Sequence, residues 1–529
     1  MLKISDREKD NALSWMSAGF NIYGAYDLEK STLPRRVFDP QKAPPGDDSP
    51  FGRLPSYMSY RPLKTTDFFL AAGDGRDSFQ SQFAARASVD VSVGAFSGHV
   101  EAAYGKQVAE SSSYSYANFS FREVLGILVI HGLADTKYLT DEITERIADL
   151  PDRAQPGNLD RFSDFFADFG AYFVSQIHLG ATLEYYVAVQ QSESMKAEQI
   201  SAKMEAEYKA LFVSGKATAE MSSDQTWQTY RRTKKYSLRV RGGDNNGPAL
   251  TDVDTRSNDS MNQKTVDTYN KWVASIPTNS AVMDFKLTGI WEICGKKRKA
   301  VEDAFREYGR MMRPLVHIET RTVQAKGDTY VPAVFLGGTL VQATPAPAIG
   351  WGGYRMVVID RRRPNAAGVK LSKDYAVPAG DGTSYLKIFE AMAADLKDGG
   401  YTTNDYFFVL ATFGVLNSYP PSPAFVRQMQ EAGAGTQLAA WLATVTHGRG
   451  TSGITGDVNY ILVGIMKSGP ENGVEAYRYV AMPPGSQPRV PQTTRLEVYF
   501  YSIGPGRPFV LGPAQLKSFE STPAIEAAV

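Results

Sequence analysis

The chain has 529 residues, of which 57 are Lys or Arg and 57 are Asp or Glu, and 43% are hydrophobic. This length predicts two or three domains, and the apolar content is sufficient for large hydrophobic cores. The balanced charge argues against a protein that binds nucleic acid. Because Cys294 is the single cysteine, no intramolecular disulfide can form, which indicates folding in a reducing cytosol or a toxin that needs no disulfides.

The first ten residues have no apolar core and do not resemble a signal peptide. No run in the sequence approaches the about 20 apolar residues that a transmembrane helix needs. We therefore expect a protein that folds in water and is secreted or released without a classical signal peptide. Association with a target membrane would follow folding.

Residues 1–60 are rich in turn-forming residues and predict a strand followed by a long surface loop. Residues 78–118 then contain a stretch that fits two periods. Apolar residues alternate with polar ones, as in a strand with one apolar face, with one slip of phase. The apolar positions are Val89, Val91, Val93, Phe96, Val100 and Tyr104. Counted by helical turns, an apolar stripe also forms along Val89, Val93, Phe96, Val100 and Ala103.

Four elements are predicted between this segment and the next segment of the same kind. Residues 124–130 are a continuous apolar run, typical of a buried strand or helix. Residues 141–150 predict a short helix that Pro151 ends. Residues 159–169 are rich in aromatic side chains, and residues 179–190 predict a long strand.

Residues 192–237 form the second dual-period segment. Its alternating apolar positions are Ile200, Ala202, Met204, Ala206, Tyr208, Ala210 and Phe212. Its helical stripe is Ile200, Met204, Tyr208, Leu211 and Phe212. The glutamates of the segment, Glu193, Glu198, Glu205 and Glu207, are interpreted as its water-facing side. A segment that fits both templates is a candidate for changing from helix to strand, whereas the alternative is an ordinary amphipathic surface helix.

After this segment, residues 237–241 predict a strand that Gly242 and Gly243 interrupt, since glycine tolerates a sharp bend or bulge. Residues 245–262 predict a loop, residues 272–292 return to the core, and residues 297–312 predict an amphipathic helix. Residues 314–350 predict connecting strands and a Pro-rich linker. Beyond them, the sequence predicts strands at 354–360, 406–413, 460–465, 477–482 and 496–501, and helices at 386–396, 422–430 and 437–445.

No enzymatic constellation is present in the sequence. Its five histidines have no metal-binding spacing, and no nucleophile elbow, P-loop or dinucleotide fingerprint occurs. We therefore expect a protein that is not an enzyme and that uses no cofactor and no metal.

The stretch Phe169-Gly170-Ala171-Tyr172-Phe173, followed after six residues by Gly180-Ala181, resembles the signature of the membrane attack complex/perforin (MACPF) superfamily. The signature spacing is kept, whereas Phe169, Ala171, Tyr172 and Ala181 differ from the usual residues of the signature. Gly242-Gly243 resembles the diglycine of that superfamily at the bend of its central sheet. Trp272, with Ser275 and Ile276, resembles its closing segment. The resemblance covers residues 10–313.

This resemblance implies an α+β fold, with a MACPF/CDC-like bent antiparallel sheet flanked by two helical clusters in residues 1–313. Residues 351–529 would form a C-terminal mixed α/β or β-rich domain that recognises a membrane or receptor. The strand pattern of this second domain resembles that of ILEI/PANDER-like domains, some of which bind sugars.

The resemblance also implies a pore-forming protein, a toxin or an immune-type effector. A soluble monomer would form a homo-oligomeric ring on a target cell membrane, through a lipid or glycan receptor and with or without an accessory lipid-binding protein. The sheet would open at Gly242 and Gly243. Both dual-period segments would then insert as amphipathic β-hairpins of a shared barrel. The alternative is a non-lytic MACPF-like protein that binds membranes or glycans, or that assembles without lysis.

Overall fold

The computed structural model describes residues 3–105, 108, 114–133, 135–155, 157–190, 192, 195–244, 246–322, 330–346, 352–376, 385–416, 420–448, 455–482, 492–502 and 507–516. The described residues up to Arg310 form one compact unit, and those from Met311 onward form a second. In the described part of the chain, no helix is long and apolar enough to cross a membrane.

The first 60 residues contain more regular structure than the sequence predicts. The elements are α1 (Asp6–Trp15), β1 (Ala18–Phe20), α2 (Leu28–Ser31), β2 (Thr32–Arg36), β3 (Pro45–Ser49) and β4 (Gly52–Pro55). The Ser5 hydroxyl caps α1 by accepting a hydrogen bond from the Glu8 amide. Because Ala12 is the one fully buried residue of α1, this helix carries no apolar stripe that the sequence could reveal.

A seven-stranded antiparallel sheet forms the centre of the first unit. Its long strands are β5 (Met58–Gly73), β6 (Tyr114–Ile130) and β7 (Tyr172–Gln190), which are joined by β8 (Lys235–Arg241) and β9 (Ala281–Gly289). The order is β2-β1-β7-β6-β5, and β8 and β9 both pair with β7. Strand β7 is buried along nearly its whole length, as the apolar run at 179–190 predicts.

The first dual-period segment folds as short helices. They are α3 (Arg76–Arg86), a 3-10 turn (Val91–Val93) and α4 (His99–Tyr104). The continuous helical stripe predicted over residues 89–103 is therefore wrong. Positive φ angles at Ser88 (63°), Gly94 (68°) and Phe96 (60°) interrupt the helical backbone between α3 and α4.

The predicted helix at 141–150 is confirmed as α5 (Asp141–Asp149), and the aromatic-rich run forms α6 (Leu159–Phe169). The second dual-period segment forms α7 (Ala197–Lys209), a π-helical turn (Ala210–Ser214), α8 (Ala219–Ser223) and α9 (Gln225–Thr233). The loop predicted at 245–262 is partly wrong, because it contains α10 (Asn246–Thr251). The unit ends with α11 (Gln263–Ser275) and α12 (Arg298–Met312), the second of which was predicted.

The second unit contains two antiparallel sheets. Its strands are β10 (Leu315–Arg321), β11 (Ala333–Leu336), β12 (Thr339–Leu340), β13 (Gly353–Asp360), β14 (Val369–Ala376), β15 (Tyr406–Phe413), β16 (Val415–Leu416), β17 (Thr455–Ile465), β18 (Val474–Met482), β19 (Thr493–Tyr501) and β20 (Val510–Leu516). One sheet has the order β12-β11-β10-β19-β20, and the other has the order β14-β13-β15-β17-β16, with β18 beside β17. Strands β10–β12 fall in the predicted connecting segment, and they pair within this unit. The end of the predicted Pro-rich linker lies outside the described residues.

The two sheets of the second unit share one core, in which the Phe407 and Phe500 rings stack 3.9 Å apart. The other face of the six-stranded sheet is covered by the helices α13 (Tyr385–Asp398), α14 (Pro423–Glu431) and α15 (Thr436–Gly448). The predicted mixed α/β character of this region is therefore confirmed. The predicted α+β sheet with two flanking helical clusters is likewise confirmed in the first unit.

Candidate functional site

Four strands of the central sheet end at one level, and both helical clusters connect strand ends at that level. Gly73 of β5 pairs with Tyr116 of β6, Tyr116 pairs with Ala188 of β7, and Ala188 pairs with Lys235 of β8. The first cluster, α3 to α4, joins β5 to β6. The second cluster, α7 to α9, joins β7 to β8. Each cluster is therefore the connection of an existing antiparallel hairpin.

Aromatic packing attaches the first cluster to the sheet. The His99 ring lies 4.4 Å from that of Phe83 and 5.5 Å from that of Tyr186 on β7. His99 is fully buried, and among the described residues neither of its ring nitrogens has a hydrogen-bond partner. Burial lowers the pKa of this imidazole to about 3. The neutral ring thus serves as part of an apolar contact.

A buried ion cluster also holds the first cluster. Arg86, the last residue of α3, places its Nε 3.0 Å from Asp284 Oδ2 on β9, and Arg122 Nη2 on β6 lies 2.9 Å from the same oxygen. The Tyr26 hydroxyl donates to the other carboxylate oxygen. Although burial opposes ionisation, the two guanidinium groups hold the pKa of Asp284 at about 2. Unfolding α3 removes one of these two cations from a buried carboxylate.

The helical stripe of the second cluster packs on other sheet residues than those that the first cluster contacts. Tyr208 contacts the ring of Phe119 on β6 at 4.9 Å, and its hydroxyl lies 2.8 Å from that of Tyr269 on α11. The buried residues contributed by the cluster are Met195, Ile200, Met204, Tyr208, Ala210, Leu211, Phe212, Met221, Trp227 and Tyr230. This contact therefore follows helical periodicity.

A buried ion pair lies inside this contact. Glu207 of α7 is fully buried and accepts hydrogen bonds from the hydroxyls of Tyr185 on β7 (2.7 Å) and Tyr230 on α9 (3.0 Å). Lys234 Nζ lies 2.8 Å from its carboxylate and 3.2 Å from the carbonyl of Thr255. Burial lowers the pKa of Lys234 to about 8, and the Glu207 carboxylate opposes this shift. The interpretation of Glu207 as water-facing is wrong.

The structure separates the predicted positions of the second segment into three groups by burial. Ile200, Met204, Tyr208, Ala210 and Phe212 are buried, Ala206 is partly buried, and Ala202 is exposed. A helix turns by about 100° per residue, so a run of seven alternate positions cannot lie wholly on one face. Glu198 is exposed and Glu205 is partly exposed, as predicted, while Glu193 lies outside the described residues.

The predicted positions of the first segment also separate. Val89, Phe96 and Val100 are buried, Tyr104 is partly buried, and Val91 is 51% exposed. The Val93 side chain is outside the part of the chain that the structure describes. The predicted lipid-facing role of both sets concerns another conformation and stays a prediction.

The predicted hinge glycines lie where strand β7 changes its partner. Residues up to Gly180 pair with β9, and residues from Thr182 onward pair with β8. A Cβ at Gly180 would lie 1.8 Å from the Glu123 carbonyl oxygen. Gly242 has a φ of 73°, and its carbonyl accepts a 2.8 Å hydrogen bond from the Trp272 indole.

Gly243 has a φ of 76°, and a Cβ there would lie 2.2 Å from the indole nitrogen of Trp272. The diglycine is therefore required by both its backbone conformation and its contact with Trp272. The sequence identified both elements, but their contact joins positions 29 residues apart along the chain, and only the structure shows it.

The predicted signature residues connect α6 to β7. Phe169 ends α6, and Gly170 has a φ of 79°, where a Cβ would meet the Phe20 backbone at 2.6 Å. Phe173 is buried and pairs with Gly19. The Tyr172 hydroxyl accepts a hydrogen bond from the Asp90 amide of the first segment at 3.4 Å. The signature thus fixes the start of the longest strand.

Among the described residues, no group of three or more His, Cys, Asp or Glu side chains could hold a metal ion. Cys294 is buried, and burial raises the pKa of its thiol to about 12. This thiol is therefore buried and protonated, unlike the thiolate of a reactive cysteine.

The chain is similar to many solved structures, GNIP1Aa among them. GNIP1Aa from Chromobacterium piscinae is 18% identical with a TM-score of 0.43, and the match covers 65% of each chain. A putative cell invasion protein with a MAC/Perforin domain from Bacteroides thetaiotaomicron is 13% identical with a TM-score of 0.39. That match covers 63% of this chain and 69% of the other. The chain thus matches slightly less than two thirds of the length of GNIP1Aa.

No curated protein matches the chain in a sequence comparison. The resemblance of residues 351–529 to ILEI/PANDER-like domains has no counterpart in the family match and stays a prediction. Residues 11–314 match the family model of the MAC/Perforin domain, which covers more than half of the sequence. The chain therefore belongs to the MAC/Perforin family.

Proposed function

We propose that this chain is a non-enzymatic pore-forming protein that assembles on target membranes and inserts both helical clusters as β-hairpins. One observation carries the proposal. Four adjacent strands of the sheet are paired at one level, through Gly73, Tyr116, Ala188 and Lys235. Because each cluster connects two strands that are already paired, its residues can extend those strands while the pairing of β5 with β6 and of β7 with β8 is kept.

The lengths of the two connections fit this conversion. About 40 residues separate β5 from β6, and a similar number separate β7 from β8, whereas a tilted membrane-crossing strand needs about 9–11 residues. Each connection therefore holds two crossing strands and a turn. In lipid, such strands satisfy all backbone hydrogen bonds only when many copies close a ring.

The outer strand β5 offers a surface for ring assembly. Among the described strands it pairs with β6 alone, so its other edge is open. Phe68 is 57% exposed on this strand, and Leu63 and Leu70 are 44% and 42% exposed. An open strand edge recruits another strand. We propose that β5 of one copy pairs with β8 of the next.

Two further assignments belong to the same proposal. The second unit would recognise a lipid or glycan of the target membrane, with or without an accessory lipid-binding protein. The chain would be secreted or released in soluble form and would reach the membrane after folding. Opening of the sheet would occur at Gly242 and Gly243, where β7 changes partner.

Electron microscopy of the protein on liposomes, combined with release of a trapped dye, tests the proposal. We expect rings and dye release at the same protein concentrations. A membrane-bound assembly in which both clusters are still helical, with no release of dye from any target membrane, would instead establish the non-lytic alternative.

A further inference from the structure

A cavity of about 330 Å³ lies beside the second cluster and is lined by positive charge. Its polar lining consists of three arginines and three neutral residues: Arg231, Arg232, Arg256, Ser222, Gln228 and Asn258. Among the described residues, no carboxylate lines it. Three guanidinium groups around one cavity repel each other. An anion bound between them would offset this electrostatic repulsion.

Arg231 forms the buried wall of this cavity. The side chain lies on α9, is 92% buried, and donates to the Asn258 side chain. Its Nε has no hydrogen-bond partner among the described residues and lies 3.4 Å from Glu207 Oε1. That carboxylate is already held by Lys234 at 2.8 Å. One buried carboxylate thus serves two buried cations, which leaves an excess of positive charge beside the cavity.

The other two arginines are available at the surface. The Arg232 side chain is exposed and makes no hydrogen bond or ion pair with any described residue. Arg256 is exposed, donates to the Lys234 carbonyl at 3.2 Å, and packs over the Tyr236 ring. Guanidinium groups present paired N–H donors that match phosphate oxygens.

We propose that this cavity binds a phosphate dianion, either inorganic phosphate or a phosphate monoester, between the three arginines. The charge of the cavity favours an ion with more than one negative charge. The neutral side chains of Ser222, Gln228 and Asn258 add hydrogen-bonding groups around it. The volume lies at the lower end of the range for small-molecule sites and accommodates inorganic phosphate or a phosphate-bearing headgroup.

The two walls of the cavity belong to different parts of the first unit. Ser222, Gln228, Arg231 and Arg232 belong to α8 and α9 of the second cluster, which would refold on insertion. Arg256 and Asn258 lie between β8 and α11, outside that cluster. A bound phosphate therefore ties the cluster to a part of the unit that stays in place. An ion that binds only the helical form stabilises that form.

Thermal unfolding of the full chain, with inorganic phosphate titrated at an ionic strength kept constant with NaCl, tests the binding. We expect a saturable rise of Tm in the wild type. Arg232→Gln and Arg256→Gln should each weaken the apparent phosphate affinity by about tenfold, the effect of one lost hydrogen bond between charged groups.

The matched control is Arg7→Gln, which removes the same charge from an exposed arginine of α1. It also corrects for the general stabilisation of folded proteins by phosphate. An equal rise of Tm in the wild type, Arg232→Gln and Arg256→Gln would overturn the site.

Vesicles distinguish the two sources of the phosphate group. If a lipid supplies the phosphate group, vesicles with phosphatidic acid will bind the wild type more tightly than Arg232→Gln. Vesicles of pure phosphatidylcholine will show no such difference between the two proteins. If free phosphate is the ligand, both proteins will bind the vesicles equally, while the difference in Tm persists.

The link between phosphate binding and insertion rests on the proposed function, and a dye-leakage assay tests it. We expect free phosphate to slow dye release by the wild type and to leave release by Arg232→Gln unchanged. Release that is insensitive to phosphate in both proteins, despite the shift of Tm, would overturn the link and leave the binding site standing. Absence of release from every membrane would contradict pore formation, and the Tm experiment would still decide the binding.

Discussion

Lys234 Nζ lies 2.8 Å from each carboxylate oxygen of Glu207, and neither side chain is exposed to solvent. Glu207 belongs to the cluster that is proposed to insert, and Lys234 immediately precedes strand β8. Refolding of the cluster separates these two charges. The pair therefore opposes insertion until both groups can reach water or new partners.

Glu207→Gln should destabilise the first unit by roughly 3–5 kcal/mol, because it leaves the Lys234 charge buried without a counter-ion. Urea unfolding followed by tryptophan fluorescence measures the loss. Glu205→Gln on the same helix is the matched control, because its pair with Lys209 is exposed and should contribute less than about 0.5 kcal/mol.

Adding Lys234→Met to Glu207→Gln should recover part of the stability, since the Lys234 charge is then gone and only Arg231, whose Nε lies 3.4 Å from Glu207 Oε1 in the wild type, lacks its carboxylate. A double variant no more stable than the single one would show that the aromatic packing, rather than the ion pair, holds the cluster. We also expect Glu207→Gln to start dye release sooner than the wild type.

Gly243→Ala should lower Tm and reduce ring formation, because the new Cβ would lie 2.2 Å from the Trp272 indole nitrogen. Gly295→Ala is the control: its φ is also positive, at 50°, but no atom lies within 4 Å of the added Cβ. The control therefore shows the cost of the backbone strain alone, about 1–2 kcal/mol. Equal effects of the two substitutions would contradict a special role for the contact with Trp272.

Ala202→Asp tests the predicted lipid face without disturbing the soluble form, because Ala202 is exposed on α7. A carboxylate on the lipid-facing side of a membrane strand is unfavourable, so dye release should fall sharply while membrane binding persists. Gln199→Asp, exposed on the same helix and outside the predicted face, should retain release. Normal release by Ala202→Asp would refute the assignment of even-numbered residues to lipid.

Acidification should loosen the first cluster through His99. The pKa of this buried ring is about 3, below its usual value near 6.5, so the unfolded chain takes up the proton first. The stability contributed by the neutral ring is complete above pH 6.5 and is lost as the pH falls toward 3, by up to about 1.4 kcal/mol per pH unit.

His178 acts in the same direction, because burial also lowers its pKa. Asp284, whose pKa is about 2, loses its contribution only as the pH falls below about 3.8. The free energy of unfolding measured by urea from pH 7 to pH 4 should therefore fall, and less steeply in His99→Leu. His131→Leu, at a partly exposed ring, is the control. An unchanged slope in His99→Leu would contradict the assignment.

The sequence predicted the long strand, helices α5 and α12 and the position of the diglycine, because each has a continuous local pattern. It failed at Glu207 for a physical reason. Alternation places this residue with the polar ones, whereas the helix places it one turn beyond Met204 on the buried side. Its partner Lys234 is 27 residues away, so no local pattern could show that the charge is matched.

Residues 89–103 failed for another reason. Their apolar spacing fits a helix, but Gly94 and Phe96 adopt positive φ angles, which end helical hydrogen bonding whatever the side-chain pattern. Strand β14 (Val369–Ala376) was not predicted at all, because its burial is mostly partial and its sequence is polar. The arginine cavity was also missed, since its walls come together only in the folded unit.

The common level of Gly73, Tyr116, Ala188 and Lys235 has a kinetic consequence. The strands above that row would grow from paired ends, so every new hydrogen bond closes only a small additional loop. The sheet acts as a template, and the slow search for a strand register is already complete. The change from helix to strand should then advance residue by residue from the paired strand ends. Release of the helices from the sheet would be the rate-limiting step.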